Sequence, residues 1–327
     1  MSQRAATLYF KGLDLELGKK IAPVMAVIHP TNRCNHHCIG CEYTNVLGTA
    51  SLAEICDVIA QVTELGVISV LFTGGGEPTL HPDFTDALPI AKKNNLSVGV
   101  FSNGSTLNGP LCDGIVRYVD FIRISIDAAT RETYQVVRGV PGDRFDAVRE
   151  GLCSLLSKRT DKPKIGLKFL IRKTNLHEIG PFVELARDLG VDNVQFKPIR
   201  QSTVDLDEVE VRTAISQLDE LKARYPGFIR GGIKPIMPRV PCWITPLRVL
   251  VDAEGKVFLC NYFNHRRDSH FIGSLDRERL TSIWFGRRHR EALRTIRPEE
   301  CSLFDCRFHD LNADLQELVM KRQYDFV

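Results

Sequence analysis

The sequence lacks several features that would assign it to other classes of protein. No apolar run approaches the roughly 20 residues that span a bilayer. The N-terminal MSQRAATLYFKG has neither the apolar core nor the small-residue cleavage site of a signal peptide. A net charge of +3 over 327 residues gives no reason to expect nucleic acid or a membrane surface as partner. These absences predict a cytoplasmic globular protein.

Cysteine is the one residue that departs from an ordinary composition. The chain has ten cysteines in a background that is 43% hydrophobic, without the signs of a small secreted protein. Metal ligation or catalysis is therefore expected rather than a disulfide framework. Seven cysteines form two sets, whereas Cys56, Cys112 and Cys153 stand alone in helical patterns. We expect these three to be buried as small apolar side chains.

Short apolar runs alternate with amphipathic stretches through the first two-thirds of the chain. This alternation predicts a parallel sheet flanked by helices. Six strands are predicted, at Val24–His29, Ser69–Thr73, Ser97–Phe101, Phe121–Ile126, Ile165–Ile171 and Asn193–Lys197. Six strands are too few to close an eight-stranded barrel, so we predict an α/β fold with a partial, TIM-like (β/α)6 barrel.

The last third of the sequence predicts a small domain made of a β-hairpin and a helix. Strands at Leu247–Val251 and Lys256–Leu259 flank the turn sequence Asp252-Ala253-Glu254-Gly255. One helix is expected over Thr281–Ile296. The predicted organisation is an N-terminal extension (1–20), the barrel (21–225), a connection rich in Pro and Gly (226–241) and the C-terminal domain (242–327).

Polar or glycine-rich segments directly follow all six predicted barrel strands. In parallel α/β folds the catalytic groups collect at the carboxyl ends of the strands. These segments therefore predict a single site at one mouth of the barrel. They are Cys34–Cys41, Gly74–Pro78, Ser102–Gly104, Ser125–Asp127, Arg172–Lys173 and Lys197–Arg200.

The first segment contains Cys34, Cys38 and Cys41 in the spacing C-x3-C-x2-C. Three thiolates can hold a four-iron cubane and leave one iron without a side-chain ligand. Such a vacant corner is useful only if a substrate or cofactor binds there. His36 and His37 lie within the loop, so a structural zinc site is the alternative.

These three cysteines after the first strand, with Gly75-Gly76-Glu77 after the second, resemble the two signature motifs of the radical S-adenosylmethionine (SAM) superfamily. The resemblance implies a [4Fe–4S] cluster that binds the amino and carboxylate groups of SAM. It also implies that the glycine-rich segment contacts the SAM amino group, since glycines let backbone carbonyls approach an ammonium closely and the third glycine tolerates an unusual φ. Reductive cleavage of SAM to a 5′-deoxyadenosyl radical is then expected, with an electron donor such as flavodoxin or ferredoxin.

The same resemblance extends to other strand ends. It implies that Ser102 and Asn103 lie near the ribose or carboxylate of SAM, and that Ser125 and Asp127 contact these groups as well. Arg172 is the candidate partner of the SAM carboxylate, because a guanidinium binds that group bidentately. The alternative for each residue is turn capping or a surface salt bridge.

The chain departs from the family pattern next to the third cysteine. Many members place an aromatic residue directly before it, near the adenine of SAM, whereas this chain has Gly40. Tyr43 is the nearby aromatic residue and is the candidate for the adenine contact.

The second cysteine set consists of Cys242, Cys260, Cys301 and Cys306. It resembles the C-terminal twitch domain, a shortened relative of the SPASM domain, which holds one auxiliary [4Fe–4S] cluster. Four protein ligands would close the cluster, which implies electron transfer rather than substrate binding. The last pair is separated by four residues, a wider spacing than expected. A hydrogen-atom donor or buried thiol among them, or a structural zinc site, remains open.

The auxiliary cluster favours oxidation of the substrate, because it can accept an electron from a substrate radical. Twitch-bearing relatives oxidise or epimerise amino sugars and aminocyclitols. We therefore expect oxidation of a small polar, carbohydrate-like metabolite in natural product biosynthesis. Candidate substrate contacts are Lys197, Arg200 and Gln201. The alternatives are an epimerase with a cysteine hydrogen donor, a peptide-modifying maturase, and a zinc-stabilised binding protein without catalysis.

Overall fold

The computed structural model describes residues 22–41, 43, 48–198, 206–233, 240–260, 267–298 and 308–322. The predicted partial barrel is confirmed, and each of its six strands overlaps the predicted one. Strands β1 to β6 span Met25–Ile28, Ser69–Phe72, Ser97–Ser102, Phe121–Ser125, Lys164–Ile171 and Asn193–Pro198. They pair in parallel with their neighbours in chain order.

Helices follow the strands and cover one face of the sheet. Helices α1 to α7 span Leu52–Glu64, Phe84–Lys93, Gly109–Tyr118, Arg131–Arg138, Asp143–Lys158, Ile179–Leu189 and Glu208–Arg224. The sequence did not predict the short and largely polar α4. No helix within the described ranges is both long and apolar enough to cross a bilayer.

The strands form one ten-stranded sheet in which β1 to β6 lie in chain order, with one further strand beside β6 and three beside β1. A seventh parallel strand, β7 (Ile229–Gly231), lies in the segment expected as a connection. Its three residues are too few to show an alternating pattern. The C-terminal strands are β8 (Arg248–Val251), β9 (Lys256–Phe258) and β10 (Phe271–Ser274). Because β8 pairs in parallel with β1, the predicted hairpin continues the barrel sheet.

The prediction of one helix over Thr281–Ile296 is wrong, because two helices occupy the segment. Helix α9 (Leu280–Trp284) and helix α10 (Arg287–Arg294) are separated at Gly286, whose backbone is extended. A Cβ atom at Gly286 would lie 2.6 Å from the carbonyl oxygen of Ser282. The chain therefore turns where only glycine fits. Two further helices are α8 (Arg267–His270) and α11 (His309–Arg322).

The two faces of the barrel sheet differ in character. Ile122, Ile124, Leu167 and Phe169 alternate along β4 and β5, and they are fully buried in the core beneath the helices. Their chain neighbours point to the opposite, concave face, because side chains alternate along a strand. That face is half-buried and carries polar residues, including Arg123. The concave face is therefore less buried and more polar than the face beneath the helices.

The expectation that the three isolated cysteines are buried holds for Cys112 alone. Cys112 is fully buried on α3, whereas Cys56 on α1 is half-buried and Cys153 on α5 is exposed. Cys153 lies beside Leu152, which faces the core. A helix turns by about 100° per residue, so adjacent positions face different surroundings.

Asp120 fixes the ends of β3 and β5 from the loop before β4. Its carboxylate accepts hydrogen bonds from the Val98 amide at 2.8 Å, from the Lys162 ammonium at 2.6 Å and from the Lys92 ammonium. Burial opposes the charge, but the two ammonium groups and the amide lower the pKa of Asp120 to about 2. The ionised form is therefore stabilised by folding.

We expect Asp120→Asn to destabilise the protein by about 1–2 kcal/mol at pH 7, a value reduced for partial exposure. The folded pKa lies below the unfolded value of about 3.9, so the stabilisation is complete above that pH and is lost as the pH falls toward 2. Thermal unfolding from pH 7 to pH 3 measures this. Asp113→Asn, at an exposed pair with Lys158, is the control and should change little. An equal loss in both variants would contradict the assignment.

Candidate active site

The cysteine loop is held by the C-terminal end of α4. The amide of His37 donates to the carbonyl of Arg138 at 3.1 Å, and the amide of Ile39 donates to the carbonyl of Val137 at 3.3 Å. The last carbonyls of a helix have no partner within the helix, so the loop satisfies them. Gly139 ends the helix with φ of 61°, and a Cβ there would lie 2.2 Å from the His37 carbonyl oxygen. The helix and the loop are therefore in direct backbone contact.

A buried ion pair supports the same contact. The guanidinium of Arg138 donates to the Asp127 carboxylate at 2.8 Å, and both side chains are less than a tenth exposed. A second nitrogen of Arg138 donates to Nδ1 of His36 at 3.4 Å. Burial, followed by the charge of Arg138, lowers the pKa of His36 to about 3, so its ring is neutral and accepts. Burial opposes the charge of Arg138, but Cys38 and Asp127 raise the pKa of Arg138.

Asp127 occupies its place through an unusual backbone. Its φ is 62°, a left-handed conformation that Asp tolerates better than most residues. One carboxylate oxygen accepts from Arg138, and the other accepts from the Leu170 amide at 2.7 Å. Its backbone carbonyl accepts from the Asn175 side chain at 2.8 Å. Asp127 thus joins the end of β4 to β5 and to the cysteine loop.

The donor set of the cysteine loop consists of three thiols, the ligand type that holds iron–sulfur clusters. Cys34 and Cys41 are exposed, Cys38 is half-buried, and the three interact electrostatically with one another. Burial raises the pKa of Cys34 and Cys38. Among the described residues no three His, Cys, Asp or Glu side chains converge as the ligands of one metal ion do. Nδ1 of His36 is occupied by Arg138, so that nitrogen is not available as a metal ligand.

The backbone conformation at Gly40 explains why glycine stands where the family pattern has an aromatic residue. Its φ is 69°, and the Cys41 amide donates to the Cys38 carbonyl at 3.1 Å across the turn. Tyr43 is half-buried and contacts the ring of His29 edge-on at a centroid distance of 6.2 Å. It also packs against Gly75, where a Cβ would lie 2.6 Å from its ring. Its role at the adenine stays a prediction.

The glycine segment after β2 packs against the start of the cysteine loop. A Cβ on Gly76 would lie 2.1 Å from the Arg33 carbonyl oxygen, and one on Gly75 would lie 2.6 Å from the Asn32 side chain. The Glu77 amide donates to the same Arg33 carbonyl at 2.8 Å. The φ of Gly76 is not positive. Close backbone approach is what requires glycine here.

Glu77 joins this segment to the end of β3. Its buried carboxylate accepts from the Ser102 hydroxyl at 2.7 Å, from the Asn103 amide at 2.5 Å and from the Thr79 hydroxyl at 2.6 Å. Burial raises the pKa of Glu77, although these donors favour the ionised form. The hydrogen bond between Glu77 and Ser102 therefore orients both side chains. Their predicted contact with SAM stays a prediction.

The side chain of Asn103 reaches the cysteine loop. Its amide nitrogen donates to the Asn35 side chain at 2.9 Å, and the Asn35 nitrogen donates to the Ser105 hydroxyl at 2.8 Å. Arg172, which is buried, donates to the Ile39 carbonyl at 3.1 Å. The ends of β3 and β5 thus both bind the loop that carries the cysteines.

The geometry agrees with comparisons against known protein families. A model of the radical SAM superfamily matches residues 28–186, and a model of the SPASM iron–sulfur cluster-binding domain matches residues 242–307. The chain belongs to the radical SAM superfamily. The resemblance to a radical SAM domain followed by a SPASM-like domain is confirmed, and the cofactors of this radical SAM enzyme are SAM and [4Fe–4S] clusters. Cys34, Cys38 and Cys41 are the residues that would hold the cluster to which SAM binds.

The chain is also similar to curated sequence relatives and, in its fold, to solved structures. A protein of Saccharolobus solfataricus named "Probable GTP 3′,8-cyclase" is 28% identical over 75% of this chain and 84% of its own. The Fe-coproporphyrin III synthase of Methanosarcina barkeri is 27% identical over 56% of this chain and 45% of its own. Streptococcus suis SuiB bound to its precursor peptide SuiA has a TM-score of 0.68 at 14% identity, covering 86% of this chain and 69% of that one. AdoMet-bound anSMEcpe has a TM-score of 0.66 at 15% identity, covering 92% and 98%.

The other predicted site residues of the radical SAM enzyme are only partly described. Ser125 is half-buried on the concave face, in register with Lys168 of β5, and Lys197 is half-buried on β6. Arg200, Gln201, Cys301 and Cys306 lie outside the described residues. Their predicted roles therefore stay predictions.

Two cysteines of the second set are described. Cys242 lies 2.8 Å from the Thr245 hydroxyl, and the Asn312 side chain of α11 donates to it at 3.9 Å. Cys260 is half-buried directly after the β8–β9 hairpin. Both lie in the segment that the SPASM model matches.

Sequence analysis missed several residues that build the site. Arg138, Gly139, Asn35 and Asn175 carry contacts as important as those of the predicted residues. Only Gly139 had a local signal, since a glycine commonly ends a helix. Arg138 lies 102 residues from His36, and no local pattern reports such a pairing.

We expect Gly139→Ala to impair iron binding at the first site. A Cβ cannot fit 2.2 Å from the His37 carbonyl, so the loop must move. Gly190→Ala is the matched control, because Gly190 also ends a helix with positive φ but has nothing within 4 Å. Both variants share about 1 kcal/mol of backbone strain. Iron per chain after anaerobic reconstitution should fall in Gly139→Ala alone, and equal iron content in both would refute the contact.

Proposed function

We propose that this radical SAM enzyme oxidises a small polar metabolite of the amino-sugar or related carbohydrate-like class. When bound, SAM and the first cluster supply the 5′-deoxyadenosyl radical, and the second cluster supplies an acceptor for one electron. Abstraction of a hydrogen atom, followed by loss of one electron and one proton, oxidises the substrate by two electrons overall. The proposal rests on the concave face that the strand-end site borders.

The concave face supports a small polar substrate rather than an apolar one. Along β4, β5 and β6 it carries Arg123, Lys168, Gln195 and Lys197, all half-buried. Hydrogen-bonding groups on a partly enclosed surface suit a molecule with several hydroxyl or charged groups. The residues of the opposite face are apolar and buried beneath the helices. Substrate binding at this face would therefore involve polar contacts.

The distribution of cysteines supports oxidation over epimerisation. Epimerisation needs a thiol that returns a hydrogen atom to the substrate radical. Outside the two metal-binding sets, the described cysteines are Cys56, Cys112 and Cys153, which lie on α1, α3 and α5. All three helices pack on the outer face of the sheet. Within the described part of the chain, no isolated thiol lies on the concave face.

The C-terminal segment is joined to the first site in a way that suits electron transfer. Strand β8 pairs with β1, the strand that leads into the cysteine loop. A Cβ on Gly48, just beyond that loop, would lie 3.1 Å from the Glu254 side chain at the turn of the hairpin. The hairpin that precedes Cys260 therefore packs against the segment that follows the first cysteine set. This proximity supports an auxiliary cluster that accepts the electron.

Cyclisation of a nucleotide is a second candidate. Sequence relatives that cover 75% of the chain are named "Probable GTP 3′,8-cyclase". Cationic residues on the concave face also suit a phosphorylated substrate. Consumption of GTP in step with formation of 5′-deoxyadenosine would favour this candidate over sugar oxidation.

The radical chemistry is tested by incubating the reduced, reconstituted protein with SAM. We expect 5′-deoxyadenosine, which is lost in Cys38→Ala because the first cluster needs that thiolate. Cys260→Ala should retain formation at a reduced level, and Cys153→Ala, at an exposed site on α5, should match the parent. Chromatographic assay of 5′-deoxyadenosine measures all three. Full activity of Cys38→Ala would disprove the assignment.

The reaction outcome is tested with deuterated amino sugars and aminocyclitols. Oxidation predicts deuterium transfer from substrate into 5′-deoxyadenosine and a product two mass units lighter than the unlabelled substrate. Epimerisation in deuterated water instead predicts a product of unchanged oxidation state that carries one solvent deuterium. The second result would overturn the proposal of oxidation and leave the radical SAM assignment intact.

A further inference from the structure

The concave face of the sheet carries several cationic side chains. The ten strands that the structure describes contain no Asp or Glu. Strands β4 to β7 carry Arg123, Lys164, Lys168, Lys197 and Arg230. The register places all five on the concave face, since Arg123 aligns with Gly166, Gly166 with Asn193, and Gln195 with Arg230. An excess of positive charge on a concave surface attracts negatively charged ligands.

Arg123 is held in a fixed orientation at the centre of this charge. Its guanidinium lies 4.8 Å from the ring centroid of Phe121 and 5.5 Å from that of Phe101. One terminal nitrogen donates to the Gln195 side chain at 2.8 Å. A guanidinium has five N–H groups, and this is the single hydrogen bond of Arg123 among the described residues. The side chain of Arg123 is thus held in place while most of its N–H groups remain able to donate to a ligand.

Arg230 adds a second guanidinium to the same face of the sheet. It is exposed on β7, directly in register with Gln195. Burial, followed by the like charge of Arg230, lowers the pKa of Arg123 to about 10. Neither arginine forms an ion pair with a described carboxylate, whereas Lys164 at the far end of β5 pairs with Asp192. Two like charges held together without a counter-charge destabilise the ligand-free protein, and a bound anion would relieve this.

We propose that Arg123 and Arg230 bind an oxyanion group of the substrate, a phosphate or a carboxylate, with Gln195 orienting Arg123. This assignment rests on the proposed function, in that the anion belongs to the molecule from which hydrogen is abstracted. Guanidinium groups bind such oxyanions through paired, charge-assisted hydrogen bonds. Within the carbohydrate-like class proposed above, the substrate is accordingly one that carries an acidic group rather than a neutral sugar.

Titration calorimetry of the anaerobically reconstituted protein tests the site, with pyrophosphate and succinate as probes. We expect one of the two to bind, and about tenfold weaker binding in Arg123→Gln and in Arg230→Gln, from the loss of one charged contact. Arg230→Gln alters an exposed edge residue, so it remains informative if Arg123→Gln folds poorly. Arg212→Gln removes an exposed arginine on α7 and should leave the affinity unchanged. Pyrophosphate binding indicates a phosphorylated substrate, and succinate binding indicates a carboxylate.

The titration is repeated with saturating SAM, because SAM also carries a carboxylate. Binding that persists supports a substrate site, whereas displacement by SAM would assign the arginines to the cofactor and overturn the inference. The inference would also be overturned if neither probe bound, or if all variants bound the probe with equal affinity. These results are independent of 5′-deoxyadenosine formation. A protein that forms 5′-deoxyadenosine but binds no anion keeps the proposed function and loses this site.

Discussion

The active site depends on the docking of one helix end against one loop. Helix α4 presents carbonyls that have no partner within the helix, and the cysteine loop supplies the amide donors. The Arg138–Asp127 pair lies directly beneath this contact and is almost fully enclosed. Losing one partner of such a pair costs about 3–5 kcal/mol, because the remaining charge stays buried. The loop that must present three thiolates in one geometry is therefore held in place by helix α4 and the buried ion pair.

The second motif of the superfamily serves packing as much as ligand contact. Gly75 and Gly76 allow the chain after β2 to touch the backbone and side chains at the start of the cysteine loop. Glu77 then ties this segment to Ser102 and Asn103 at the end of β3. The same carboxylate cannot be replaced by an apolar group without leaving several donors unsatisfied. The motif thus aligns three strand ends before any cofactor binds.

Much of the fold was predictable because the parallel strands of the barrel lie in the sheet in the same order as in the chain. Apolar runs identified β1 to β6, and the residues after each strand lie at one edge because all six strands point the same way. Local signals failed where an element was short, as for β7, or where glycine interrupted a helix, as at Gly286. The radical SAM motifs were recognised because their residues are close together in the chain.

The sequence by itself determined the family, the ligand types and the order of the strands, because each depends on residues within a few positions of one another. Tertiary structure decided which distant groups meet: Arg138 with His36, Glu77 with Ser102, and Arg123 with Gln195. It also decided that β8 joins the barrel at β1. Such pairings follow from how strands and helices pack, and side chains separated by tens of residues leave no periodic trace in the sequence.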